Sequence, residues 1–147
     1  MKRLGLLLLL AVLAPTVASA QGPDPLSRAL QTLPGEVVFL RSTGPWEREG
    51  RTGSARILLV RASPRDETAR LFLQWIAPDQ RGRPGVIVQE EIGEVFDWRL
   101  RMDDYRIERE AHGTRVVFDA TVLTNNQLRR YELRIGGPGD FKFEPLQ

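Results

Sequence analysis

The sequence predicts an all-β chain: an antiparallel meander of about eight strands, closing into a small barrel or folding into a curved sandwich, preceded by one short N-terminal helix. Three observations predict it. From Val37 onward apolar residues recur with a period of two. Clusters of Gly, Pro, Asn and Asp interrupt these runs at short intervals. The connections are too short for the crossovers that parallel strands require, so successive strands are expected to be antiparallel neighbours. A barrel is the first expectation and a sandwich the second.

Before the strands, Lys2 and Arg3, the Leu6 to Leu10 run and Ala18-Ser19-Ala20 form the three-part pattern of a cleavable secretory signal over residues 1–20. The leucine run is too short, and too soon followed by Pro15, to read as a membrane span. The expectation is one β-rich domain over residues 21–147, periplasmic or secreted. Cysteine is absent, which excludes disulfides, thiolate chemistry and lipid attachment through Cys. Without Lys2 and Arg3 the 21 basic residues fall to 19, equal to the 19 acidic ones. A balanced charge gives no electrostatic reason to expect nucleic acid as a partner.

Asp24-Pro25 supplies an N-cap and a proline at the first helical position. Leu26, Ala29, Leu30 and Leu33 then keep helical spacing until Pro34-Gly35 stops the pattern. The period-two runs that follow are Val37 to Arg41, Ser54 to Arg61, Arg70 to Ala77, Val86 to Glu91, Glu94 to Met102, Tyr105 to Glu110, Arg115 to Leu123 and Leu128 to Ile135. Phe141 and Phe143 suggest a short last strand. Turns are expected at Ser42-Thr43-Gly44-Pro45, Ser63-Pro64-Arg65-Asp66, Arg81-Gly82-Arg83-Pro84-Gly85 and Asp103-Asp104.

Two-residue turns at His112-Gly113 and Asn125-Asn126 set an explicit register for the C-terminal half. The first places Ile107 opposite Phe118 and Tyr105 opposite Ala120; the second places Phe118 opposite Leu133 and Val116 opposite Ile135. All share one apolar face, but Asp119 then meets the like charge of Glu132. The opposite faces carry Asp97, Arg99, Arg101, Arg130, Glu132 and Arg134, which no lipid-facing barrel would tolerate.

Catalytic motifs are weak. His112, the sole histidine, sits in Ala-His-Gly-Thr and reads as a hairpin tip rather than a base or zinc ligand. Asp103-Asp104 lacks the further oxygen ligands of a calcium loop. Glu90, Glu91, Glu94 and Asp97 are candidates for the paired carboxylates of glycoside hydrolysis, but Glu91 and Asp97 have the parity of solvated faces and ordinary surface charge is the simpler account. Gly136-Gly137-Pro138-Gly139 has neither the spacing nor the helix of a phosphate loop. No cofactor or metal is implied.

Gly44-Pro45-Trp46 resembles the Gly-x-Trp element near the start of lipocalin-type barrels. The resemblance covers three residues, and a strand precedes it here where that family has none. The same residues also read as an aromatic anchor for a loop.

Polar residues on faces assigned to the core stand out more. Glu90 follows Val86 and Val88 in parity, and Arg129 precedes Tyr131, Leu133 and Ile135. Together with Trp75, Trp98, Tyr105 and Tyr131 they form the candidate ligand-binding set, an aromatic interior with a few polar groups. Strand ends reaching water are the simpler account of Glu90 and Arg129. The functional expectation is an exported, non-enzymatic binding or interaction module for a small apolar molecule or an envelope protein. A carboxylate-dependent extracellular hydrolase and a structural envelope-assembly protein are the alternatives.

Overall fold

The computed structural model describes residues 31–63, 65–111 and 113–147. The expected leader, nearly all of the expected opening helix, Pro64 and His112 lie outside the described residues. The chain divides into two compact units, Met1–Leu33 and Pro34–Gln147, and the β structure belongs to the second.

Eight strands follow in order: β1 Val37–Arg48, β2 Arg51–Ser63, β3 Asp66–Pro78, β4 Pro84–Ile92, β5 Leu100–Glu110, β6 Gly113–Val122, β7 Gln127–Ile135 and β8 Phe141–Pro145. One short helix, α1 (Gly93–Asp97), separates β4 from β5. β1 to β4 form one antiparallel sheet in chain order and β5 to β8 form a second. The all-β antiparallel meander is therefore as the sequence predicts, and no backbone ladder joins the two sheets among the described residues.

Several local expectations are corrected. Ser42 to Pro45 lies within β1, where the chain absorbs the glycine and proline as a register irregularity between Ser42 and Gly44. The reversal comes instead at Glu49-Gly50, whose φ values of 53° and 73° are the paired positive angles of a type I′ hairpin. The Gly44-Pro45-Trp46 element is thus part of a strand. Trp46 is buried, its indole N–H donating 3.2 Å to the Ser54 carbonyl. Its ring lies across Gly53, where a Cβ would come within 2.6 Å of the indole and 2.1 Å of the Ile76 carbonyl oxygen. Only glycine fits there.

The strand expected from Glu94 begins late, because Gly93–Asp97 forms a helical turn closed by the Trp98 N–H on the Glu94 carbonyl at 2.9 Å. Val95 is fully buried from this turn, and Arg99, at φ 52°, redirects the chain into β5. β5 then passes through Asp103-Asp104 without turning. The parity switch read there is a bulge between Met102 and Asp104. The Asp103 carboxylate accepts hydrogen bonds from Arg101 Nε at 2.8 Å and Thr121 Oγ1 at 2.6 Å.

Both registers in the second sheet differ from expectation by two residues. Glu110 pairs with Gly113, and Tyr105 then faces Phe118 and Ile107 faces Val116. Residues 123–126 connect β6 to β7, so Phe118 faces Tyr131 and Val116 faces Leu133. A slip of two keeps the same side chains inward, which is why the face assignment survives. It also removes the Asp119–Glu132 clash: Asp119 faces Arg130 and pairs with it at 2.9 Å.

The inner faces of both sheets meet in one core. Trp75, Ile57, Leu71 and Leu73 come from the first sheet and Phe118, Val116 and Leu133 from the second, all fully buried. Several contacts tie the two sheets at separate points, three of them near the core. Trp75 Nε1 donates to the Gly136 carbonyl at 3.0 Å, Thr114 Oγ1 donates to the Thr43 carbonyl at 3.2 Å, and Phe39 stacks on Tyr105 with centroids 4.9 Å apart.

Candidate functional site

The six residues singled out from the sequence occupy different surroundings. Trp75 is fully buried in the core, and Tyr105 is half-buried, its hydroxyl accepting from Arg41 Nε at 2.7 Å. Trp98 and Tyr131 are brought together, with ring centroids 5.8 Å apart, and both rest on Phe143. The run continues through Phe118 to Tyr105 and Phe39, so an aromatic row crosses the inner face of the second sheet. Trp75 stands apart from it and contacts Phe141.

The polar pair is exposed. Glu90 faces Leu73 across the ladder yet reaches solvent with no hydrogen bond or ion pair among the described residues. A bulge at Ile87 separates it in parity from Val86. Arg129 is also exposed, donating to the Gln127 amide oxygen at 3.1 Å. Burial holds the Tyr131 phenol above its ordinary pKa, and the charge of Arg129 acts in the opposite direction.

The carboxylates considered for hydrolysis have ordinary surroundings. Glu91 is held below its usual carboxylate range by the Arg70 guanidinium, which donates Nε to Oε1 at 2.8 Å. Glu94 and Asp97 belong to α1. Among the described residues no three His, Asp or Glu side chains gather in a metal-holding group. No helix of the described residues is long and apolar enough to cross a membrane. A cleft of about 600 Å³ lies where the β1–β2 hairpin meets the second sheet, lined by Trp46, Arg48, Arg109, Glu110 and Thr114 among others.

The strongest asymmetry is on the outside. On the second sheet the outward charges of β6, β7 and β8 are paired, whereas Asp104, Arg106 and Glu110 on the edge strand β5 make no ion pair among the described residues. Arg115 bridges Glu108 at 3.0 Å and Glu132 at 2.7 Å, Arg134 adds a second contact to Glu132 at 2.7 Å, and Lys142 reaches Glu144 at 2.6 Å. Val117 is buried beneath these long side chains. The first sheet instead presents Leu40, Leu58 and Phe72 in one row across β1, β2 and β3, with Val37 and Val60 beside them. Leu40 is 39% exposed and the others half-buried. A ladder of Arg56 Nε to the Gln74 amide oxygen at 2.6 Å, and of Gln74 to Gln89, borders the row on one side. Arg70 borders the other, packed over the Phe72 ring at 5.1 Å.

This outer row was not singled out from the sequence. The signal was present as unbroken apolar runs, Ile57-Leu58-Leu59-Val60 and Leu71-Phe72-Leu73, which place hydrophobic residues on both faces where alternation would put polar ones outside.

No known family model, curated protein or solved structure matches this chain.

The shifted carboxyls set the pH response. Asp79 is lowered by the Arg83 backbone N–H, Glu91 by Arg70 and Glu144 by Lys142; at Asp103 burial pushes upward, but Thr121 and Arg101 outweigh it. Folded values below unfolded ones give stability that is full above about pH 4 and is lost as pH falls through the folded values. Tyr131, raised on folding, has the opposite sign: its contribution is full below about pH 10 and is lost as pH rises beyond it. Urea midpoints measured across the pH range should therefore show a plateau with a fall at each end.

Proposed function

We propose that this chain is an exported, non-enzymatic interaction module, with the outer face of the β1–β4 sheet docking the apolar surface of a partner protein. In this reading the two sheets are facing layers of an open sandwich, and the partner is encountered in the envelope or outside the cell. The observation that carries the proposal is the contrast between the two outsides. Over β6, β7 and β8 the second sheet pairs its outward charges with one another. The first leaves Leu40, Leu58 and Phe72 in a row with polar borders, the pattern of an apolar interface centre with a polar rim.

A small-molecule site is the second reading. It rests on Trp98, 40% exposed while packed on Tyr131, whose hydroxyl makes no hydrogen bond among the described residues. The hydrolase alternative has less support, since Glu91 is committed to Arg70 and Glu94 and Asp97 lie on the short helix.

A photo-crosslinking residue in place of Leu40, with a control in place of Arg106 on the outside of the second sheet, tests the docking face in the native host. The expected result is an adduct of discrete protein mass from position 40 only, suppressed by Leu58→Asp in chain that remains folded. No adduct at position 40, or equal adducts at both positions, overturns the proposal.

A further inference from the structure

β4 ends the first sheet, and among the described residues nothing pairs with its far side. The other three sheet edges carry devices that discourage pairing. β1 has two register irregularities and Pro45, β5 has a bulge and a dense run of charge from Arg101 to Glu110, and β8 has only five residues and ends on Pro145. β4 begins on Pro84 and carries one bulge, but its centre from Gly85 to Val88 has neither a charged side chain nor a further proline. Val86 and Ile87 there are 46% and 39% exposed.

The charge along this edge is polar in sequence. Arg81 and Arg83 precede the apolar centre, and Glu90 and Glu91 follow it. Arg83 is engaged by Asp79 and Glu91 by Arg70, whereas the Arg81 guanidinium and the Glu90 carboxylate are exposed and make no ion pair among the described residues. An antiparallel second copy of the same strand sets each basic end beside the other's acidic end and apolar centre against apolar centre. A parallel copy sets like charge against like. The edge is thus self-complementary under a two-fold axis, as an isologous interface requires.

We propose that two copies of this chain pair through their β4 edges, antiparallel, joining the two β1–β4 sheets into one continuous eight-stranded sheet. The pairing is independent of the partner proposed for the outer face, and crosslinking from position 40 does not report on it. The contact is small, so the dimer is weak and forms with rising concentration. Its charged ends make it weaken with added salt.

Sedimentation velocity over a concentration series, with the full chain and charge-swapped variants, tests the idea. The chain should shift from monomer toward dimer as concentration rises. Arg81→Glu makes both ends of the edge acidic and Glu90→Arg makes both basic, so each variant alone should stay monomeric. Because the two replaced side chains are exposed and unpaired, circular dichroism and thermal melts should match the parent chain. A one-to-one mixture should recover dimer, since an all-acidic edge then meets an all-basic one. A parent chain that stays monomeric throughout overturns the proposal, as does a dimer indifferent to both substitutions or a mixture that fails to recover.

Discussion

Replacing Phe118 by alanine is expected to lower the unfolding free energy by about 3–5 kcal/mol, the range for a large aromatic removed from a core that cannot collapse around the loss. Phe118 is fully buried at the middle of β6, between Tyr105 on β5 and Tyr131 on β7. Its ring also meets Phe143 edge-on, with centroids 6.5 Å apart. Truncation therefore opens a hole bounded by three other rings, which are held by their own strands and have little freedom to move in. Urea melts of the variant and the parent chain give the number directly. A loss under about 1 kcal/mol would mean that the site relaxes, which the rigid aromatic row does not allow.

Trp75→Ala should be comparably costly, about 3–5 kcal/mol, for a partly different reason. Trp75 is fully buried on β3, and its indole N–H crosses from the first sheet to the Gly136 carbonyl in the β7–β8 connection. The variant loses both the ring and a bond between the sheets. Trp75→Phe separates these terms by keeping most of the apolar area while removing the donor, and the hydrogen bond itself is worth about 0.5–1.5 kcal/mol. Melts of the two variants should therefore differ, with phenylalanine clearly milder. Equal losses would show that the stability lies in what both variants remove, the bond to Gly136 and the indole's own shape, and not in the apolar area that phenylalanine keeps.

The inward faces of the strands were legible because a two-residue period survives small errors of register. Phe118, Leu133 and Val116 are buried although each faces a residue two positions from the expected one. Reversals were harder to read. Gly44-Pro45 has the composition of a turn, but the strand passes through it as an irregularity, and the real turn uses Glu49, which has no particular preference for positive φ. The Glu94–Asp97 segment alternates like a strand, but burial of Val95 and the Trp98-to-Glu94 backbone bond set it as a helical turn. Of the candidate site, the Trp98–Tyr131 contact brings together two residues read from the sequence, whereas the outer row of Leu40, Leu58 and Phe72 depends on cross-strand pairing between β1, β2 and β3. Pairing of that kind is not encoded in any single segment.

Native mass spectrometry of protein purified from its own host tests most directly whether the working surface is outside the molecule rather than within it. The expected masses are those of the polypeptide alone, of two copies, or of the polypeptide with a protein partner, with no small molecule retained. A small molecule that survives purification, and is lost in the Trp98→Ala variant, would contradict the docking face and make the aromatic row the functional site.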